Sequence, residues 1–363
     1  MKEGFVRMAK KEVINNENLK VNNELLDKYR DVLEKYPDVI NSRTVDTILK
    51  TGLELFDKIV GGIPIGTIIS ISSPPGVGKT TLLIQIAASL QNLGHSLVYF
   101  DTERSLSSRR IKDLGLDVNK ILYLQPDSLE QVYEIMTQII LKKVEIKDEN
   151  PIVFCWDSTS ATPSIKEIET PEIEKTVGLK ARLNSKYLKT INSILYKANC
   201  TLIYVNQLYT NIKMGFGTFG QPDEVVTGGR SLLYYPTIDI RLRDGNKSEG
   251  EKYDIDGKIV KLKAEKNRIK TPLKEFPMFL SYEKGFVNEY SIFYILKSLT
   301  KKEWKDMGFD DPILNTTGGW YVFKYKDFEI KFRAKEWDTL YLENEQLREY
   351  VSEIIDLWIE KVL

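Results

Sequence analysis

Between about residues 48 and 283, short runs of consecutive apolar residues alternate with stretches whose apolar positions recur at helical spacing. The apolar runs predict strands at Thr67–Ser72, Ser96–Asp101, Ile121–Leu124, Ile152–Asp157 and Thr201–Asn206. The periodic stretches predict helices such as Thr80–Leu93, Ser128–Lys142 and Leu179–Ala198. Strands apolar on both faces and separated by helices indicate a mostly parallel sheet covered on both sides, an α/β core. After Pro236 the strands lengthen, and Lys258–Ala264 reads as antiparallel.

The flanks have a different texture. Residues 1–20 are rich in Asn, Lys and Glu; Leu25, Tyr29, Val32, Leu33 and Tyr36 then follow at helical spacing until Pro37. This short helix has an apolar face to cover, either on its own domain or on a neighbouring subunit. From about residue 284 the pattern predicts a helix at Ser291–Leu299, an aromatic hairpin (Trp320–Tyr325 and Phe328–Phe332) and a final helix striped by Leu347, Tyr350, Val351, Ile354, Ile355 and Trp358. The expected organisation is an N-terminal arm with an oligomerisation helix (1–47), an α/β core (48–283) and a small C-terminal α+β domain (284–363).

Chemistry enters at Ser73-Pro74-Pro75-Gly76-Val77-Gly78-Lys79-Thr80-Thr81, which follows a strand and opens a helix. That context makes a phosphate-binding loop: glycines turn backbone N–H groups inward, and the helix N-terminus adds positive potential. Lys79 is expected on the β/γ-phosphates of ATP and Thr80 on Mg²⁺. Ser73 stands where the first glycine of such loops is usual. Ile152–Asp157 is an apolar strand ending in a carboxylate, so Asp157 is the second expected metal-side group. Glu103 follows the strand Ser96–Asp101, expected beside the phosphate-loop strand, and is the candidate for orienting or deprotonating the attacking water.

The order of these motifs resembles RecA-type recombinases. Ile48–Gly52, Gly61–Gly66, the phosphate loop, Phe100–Glu103, Trp156–Ser158, Tyr204–Gln207, Thr227–Gly229, Lys266–Pro272 and Gly318–Tyr321 occur in family order over about residues 45–335. Within that family, the polar N-terminus, the Trp320 hairpin and the lack of an acidic tail resemble phage-encoded strand-exchange proteins of the UvsX type. The resemblance implies that Glu103 is catalytic, that Gln207 senses the γ-phosphate and couples it to DNA loops, and that Lys266 and Arg268 reach a neighbour's ATP. It also implies that Tyr282 contacts adenine. Where the family carries an acidic residue and an aromatic around the base, this chain has Ser107 and Arg110, and the Arg110 guanidinium is expected to stack there.

Two segments match the family's DNA loops. The second, Leu208–Thr227, carries Tyr209, Lys213, Phe216, Phe219 and three glycines, a composition suited to slipping aromatics between bases at ~1–3 kcal/mol of stacking each. The resemblance extends this element to Gly228, Gly229 and Arg230. The first, Ala161–Lys180, is unusually acidic, with Glu167, Glu169, Glu172 and Glu174, while Lys175, Lys180, Arg182 and Lys189 supply positive charge nearby. Arg182 and Lys189 lie seven apart and so on one helix face; Arg182 matches a family DNA contact. Lys258, Lys261, Lys263, Lys266 and Arg268 form a further basic run, a candidate secondary path for duplex DNA or a solvated face.

Bulk composition constrains rather than directs. The chain has 363 residues, 52 basic and 52 acidic, so nucleic-acid binding rests on local surfaces and not on net charge. Cys155 and Cys200 lie in apolar runs, and the single His95 argues against a zinc site. No apolar run reaches membrane-spanning length. The expectation is a cytoplasmic, DNA-dependent ATPase that forms a homo-oligomeric filament on single-stranded DNA and exchanges strands with homologous duplex. A loading mediator and a single-strand-binding protein are candidate further partners; for a phage-encoded chain the compartment is the bacterial host cytoplasm. Two competing readings share the core: a hexameric helicase-like or clock-type ATPase, and a non-catalytic recombination mediator.

Overall fold

The computed structural model describes residues 47–363 apart from 171–177, 212–222, 246–255 and 272–274, and gives the backbone alone for 210, 211 and 223–225. Residues Thr47–Leu363 form one compact unit. The N-terminal helix expected at residues 25–36 lies outside the described residues.

The strands, in chain order, are β1 (Ile48–Leu49), β2 (Ile63–Pro64), β3 (Ile68–Ser73), β4 (Ser96–Asp101), β5 (Leu122–Leu124), β6 (Ile152–Asp157), β7 (Cys200–Asn211), β8 (Asp223–Val226), β9 (Ile238–Asp244), β10 (Gly257–Asn267), β11 (Phe276–Ser281), β12 (Gly285–Val287), β13 (Leu314–Thr317), β14 (Trp320–Tyr325) and β15 (Phe328–Phe332). The main sheet runs β12-β11-β10-β9-β3-β7-β6-β4-β5, with β8 paired to β7. It is parallel from β9 to β5 and antiparallel from β9 to β12. The switch to antiparallel pairing after Pro236 agrees with the sequence expectation.

Alternation within the strands builds two cores from one sheet. Ile69, Ile71, Tyr99, Val153, Cys155, Ile203 and Val205 pack on one face. Their neighbours Ile68, Val98, Phe100, Phe154, Trp156, Leu202 and Tyr204 pack on the other. Both faces are covered by helices, among them α1 (Lys79–Asn92), α2 (Leu129–Ile146) and α3 (Leu179–Leu195). The Ser128 hydroxyl caps α2 by accepting from Gln131 N–H at 3.3 Å. The helix predicted to Ala198 ends three residues earlier, and Tyr196–Ala198 forms a 3₁₀ turn closed by Asn199 in the left-handed region.

One expectation fails here. β4, the strand that leads to Glu103, is not beside β3; β7 and β6 lie between them. Chain order does not dictate sheet order in a doubly wound sheet, and the connections from β4 onward return to fill the gap next to β3.

The C-terminal segment builds on the same core. Helix α4 (Asn288–Ser298) lies against β11, and the Ser291 hydroxyl accepts the Phe279 N–H at 2.9 Å. β13–β15 form a meander whose Phe323 and Phe332 are buried with Trp337. In α5 (Glu345–Lys361), Leu347, Val351, Ile354, Ile355 and Trp358 are buried, whereas Tyr350 lies half-buried against Tyr325 and Phe328.

Candidate active site and nucleic-acid face

β3 delivers the chain to the carboxyl edge of the sheet, and α1 begins at Lys79. Gly76 (φ 75°) and Gly78 (φ 113°) between them take left-handed backbone. At Gly78 a Cβ would also come within 2.8 Å of Leu280, so side-chain-free backbone is required on two counts. Ser73, in place of the usual glycine, is fully buried and donates its hydroxyl to the Pro74 carbonyl at 2.7 Å. Its polar atom is satisfied inside the loop. Val77 is buried as the loop's apolar anchor, while Pro75 and Gly76 stand exposed at the crest and Pro74 half-buried. Lys79, only 7% exposed, lines the cleft with Gly76, Gly78, Thr80 and Thr81. Arg110, Leu280, Ser281 and Tyr282 line the same cleft, and Arg110 is held by donation to the Glu283 carbonyl. The two expected base contacts therefore sit together.

The Thr80 hydroxyl donates to Asp157 Oδ1 at 3.2 Å, and the Tyr99 hydroxyl to Oδ2 at 3.3 Å. Burial, reinforced by the Glu103 charge, pushes the Asp157 carboxyl up to about 7. A cation at this point would relieve that strain. The donor set, one hydroxyl and one carboxylate, fits a hard divalent ion that completes its shell with water and phosphate oxygens. Among the described residues no cluster of three or more His, Cys, Asp or Glu offers a closed protein cage.

β4 pairs with β6 so that Asp101 stands opposite Asp157, and the turn after Asp101 brings Glu103 to this point. Thr102 N–H and Glu103 N–H both donate to the Asp157 carbonyl, at 2.8 and 3.3 Å. The Glu103 carboxylate accepts the Ser158 hydroxyl at 2.6 Å. Asp101, the other strand-end carboxylate, is occupied: it accepts from Arg104 N–H, the Tyr123 hydroxyl and the Gln125 amide. That leaves Glu103 as the carboxylate of this turn suited to hold a water.

Gln207 opposes Ser73 in the parallel β3–β7 ladder, which places it level with the start of the phosphate loop. Its side-chain oxygen accepts the Tyr209 hydroxyl at 2.6 Å, and just beyond it Leu208 pairs with Val226 at the base of the β7–β8 ribbon. Asn206 closes the ribbon by donating to the Thr227 carbonyl at 3.1 Å. Gly228 and Gly229 follow in left-handed backbone; Asn184 of α3 donates to the Gly228 carbonyl at 2.8 Å, and a Cβ on Gly229 would strike Ala181 at 2.6 Å. Arg182, Lys189 and Arg230 are exposed around this junction. Lys175, Lys213, Phe216 and Phe219 lie outside the described residues.

Several basic residues stand differently from expectation. Lys180 is half-buried and donates to the Ser160 carbonyl at 3.0 Å, and burial lowers its pKa. Glu167 of the acidic first loop caps its own short helix with Ser164. The basic run on β10 is not a bare stripe: β10 is flanked by β9 and β11, Lys261 pairs with Glu275 at 3.0 Å and Lys263 with Glu265 at 3.0 Å. Lys258 points the other way and is buried, with its amine on the Gly76 carbonyl. Lys266 donates to the Tyr234 carbonyl at 2.6 Å, Arg268 is exposed, and neither lines this chain's own cleft. Sequence reasoning missed Tyr99 and Lys258 as parts of the site. Tyr99 is disguised in an apolar strand; the opposite parity of Lys258 to Lys261 and Lys263 was the available signal.

Comparison with known proteins agrees with this geometry. A model of the RecA N-terminal domain family matches residues 31–287. The chain is 33% identical to Protein RecA of Thermotoga neapolitana over 264 residues, covering 73% of this chain and 69% of that protein. It is 30% identical to Protein RecA of Mesoplasma florum over 295 residues, 80% and 81% of the two chains, and 32% identical to that of Clostridium perfringens over 273 residues, 75% and 70%. A phosphate loop facing a strand-end carboxylate, in a chain matched over this length, places the protein in the RecA family, whose members are ATP-dependent recombinases and DNA-dependent ATPases.

Proposed function

We propose that this chain assembles as a helical filament on single-stranded DNA, with ATP and Mg²⁺ bound between neighbouring subunits, and exchanges the strand with homologous duplex. The observation that carries the reading is the joining of two features at one sheet edge: the Thr80–Asp157–Glu103 constellation, and Gln207 level with Ser73 at the foot of the second candidate DNA loop.

In this reading the loop amides and Lys79 hold the ATP phosphates. Thr80 and Asp157 would hold Mg²⁺, which supplies charge neutralisation on the β- and γ-phosphates. Glu103, fixed by Ser158, orients the attacking water and takes its proton. Arg110 and Tyr282 receive the base. Lys266 and Arg268, turned away from their own cleft, supply positive charge to the adjacent subunit's site, so hydrolysis depends on assembly. Gln207 passes the state of the γ-phosphate to the β7–β8 ribbon. Arg182, Lys189, Gly228, Gly229 and Arg230, with Lys175, Lys213, Phe216 and Phe219, form the DNA surface. Residues 1–47 serve as the subunit-contact arm, 48–283 as the motor and 284–363 as an accessory domain. The 30–33% identity to bacterial relatives and the polar N-terminus favour a divergent, phage-type member acting in a bacterial cytoplasm with a mediator and a single-strand-binding protein.

The test is ATP turnover with and without single-stranded DNA, followed by electron microscopy of the DNA complex with a non-hydrolysable analogue. DNA-stimulated turnover and helical filaments are expected. Closed rings would favour the helicase-like reading, and DNA-indifferent or absent turnover the mediator.

A further inference from the structure

Lys258 sits at the end of β10, where it pairs with Leu280 of β11, and is 6% exposed. A lysine so buried keeps its place only with partners for its amine. It has two: Asp244 Oδ1 at 2.5 Å on the paired strand β9, and the carbonyl oxygen of Gly76, in the crest of the phosphate loop, at 2.9 Å. The residue also lines the nucleotide cleft. One side chain thus connects the antiparallel extension of the sheet to the part of the loop that has least else to hold it. Gly76 adopts φ 75°, and a Cβ there would meet nothing within 4 Å, so packing does not restrain its orientation.

In a trans peptide the carbonyl of one residue and the N–H of the next point in opposite senses. Fixing the Gly76 carbonyl therefore fixes the direction of the Val77 N–H, one of the amides of a loop that binds phosphate through its amides. We infer that Lys258 is a positioning residue for ATP binding: its amine, neutralised by Asp244, locks the Gly76–Val77 peptide in the phosphate-receiving orientation. The inference rests on the nucleotide reading above and adds a residue to it. Lys258 acts through the loop and makes no contact with the base, so its effect follows the phosphates and leaves the adenosine end untouched.

The experiment titrates the full-length chain and its Lys258→Met variant with ATP and ADP by calorimetry, and with adenosine by ligand-observed NMR. The variant is expected to bind ATP and ADP each about ten-fold more weakly, the scale of a hydrogen bond to a charged group, while adenosine binding is unchanged. ATP affinity within about two-fold of the parent would overturn the inference while leaving the nucleotide site standing. Equal weakening of adenosine would overturn it in favour of a base contact. A parent chain that binds no ATP would overturn both readings. If Lys258→Met does not fold, as judged by its thermal midpoint, Asp244→Asn replaces it. Removing the counter-charge while keeping the lysine is expected to weaken ATP about three-fold with adenosine unaffected, and the absence of that split would overturn the inference.

Discussion

The proposed nucleotide end and the proposed nucleic-acid face of this molecule are built by opposite rules. At the proposed nucleotide end the groups expected beside the phosphates and the cation are buried: Lys79, Asp157 and Ser158 are each less than a tenth exposed, and Asp157 accepts from two hydroxyls. On the proposed nucleic-acid face Arg182, Lys189 and Arg230 stand in solvent, and what is fixed is the scaffold beneath them, the Asn184–Gly228 bond and the contact of Gly229 with α3. The contrast follows from what each surface would recognise under that proposal. A triphosphate and its hard cation present one geometry, so preorganised donors are effective. A single strand varies in sequence and shape, so adaptable cations over a rigid base suffice.

Substitutions should separate the two regimes. The largest effect is expected from Glu103→Gln, which should lower kcat for ATP by about 10²–10⁴-fold while leaving ATP affinity near that of the parent. Steady-state turnover with direct binding measurements checks it, and proportionate loss of both would mean that Glu103 only holds Ser158 in place. Next, Gln207→Ala should remove about ten-fold of the DNA stimulation of turnover and leave basal turnover nearly intact, a loss of coupling and not of chemistry.

On the exposed face the effects should be smaller and salt-dependent. Arg182→Ala is expected to reduce the slope of log affinity against log salt for single-stranded DNA by about 0.7. Lys180→Ala should leave that slope unchanged, because its amine is engaged by the Ser160 carbonyl. An equal change in both slopes would place Lys180 on the DNA after all.

The smallest effect concerns the central sheet. Asp239 is buried, accepts the Ser70 hydroxyl, and has its pKa raised above 3.8 mainly by that burial. The folded state holds this proton more tightly than the unfolded chain. The associated stability is therefore fully present below about pH 4 and is lost as pH rises through the raised value. Asp239→Asn should flatten the fall in thermal midpoint over that window by a few degrees, about 2–4 °C.

Much of this was readable in advance, for identifiable reasons. Ser96–Asp101, Ile152–Asp157, Trp320–Tyr325 and Phe328–Phe332 are strands at the expected bounds because their side chains alternate between well-defined environments. The phosphate loop was legible because its chemistry demands small residues at fixed spacing. Sheet order was not: whether β4 neighbours β3 depends on where later strands insert, which no local pattern encodes. The fate of the β10 lysines was hidden for a related reason. Lys261 and Lys263 alternate as expected, but their neutralisation by Glu275 and Glu265, and the burial of Lys258 on Gly76, depend on partners brought in by the fold.

The continuity of the core from the ATPase sheet into the C-terminal helices bears on how separable the two are. Leu280 stands 2.8 Å from where a Gly78 Cβ would be, on the strand whose Phe279 amide is bound by Ser291 of α4. A protease cut or stop codon near residue 283 would strip that strand of its backing and loosen the cleft wall from behind. The small domain is thus a buttress for the motor as well as a passenger on it.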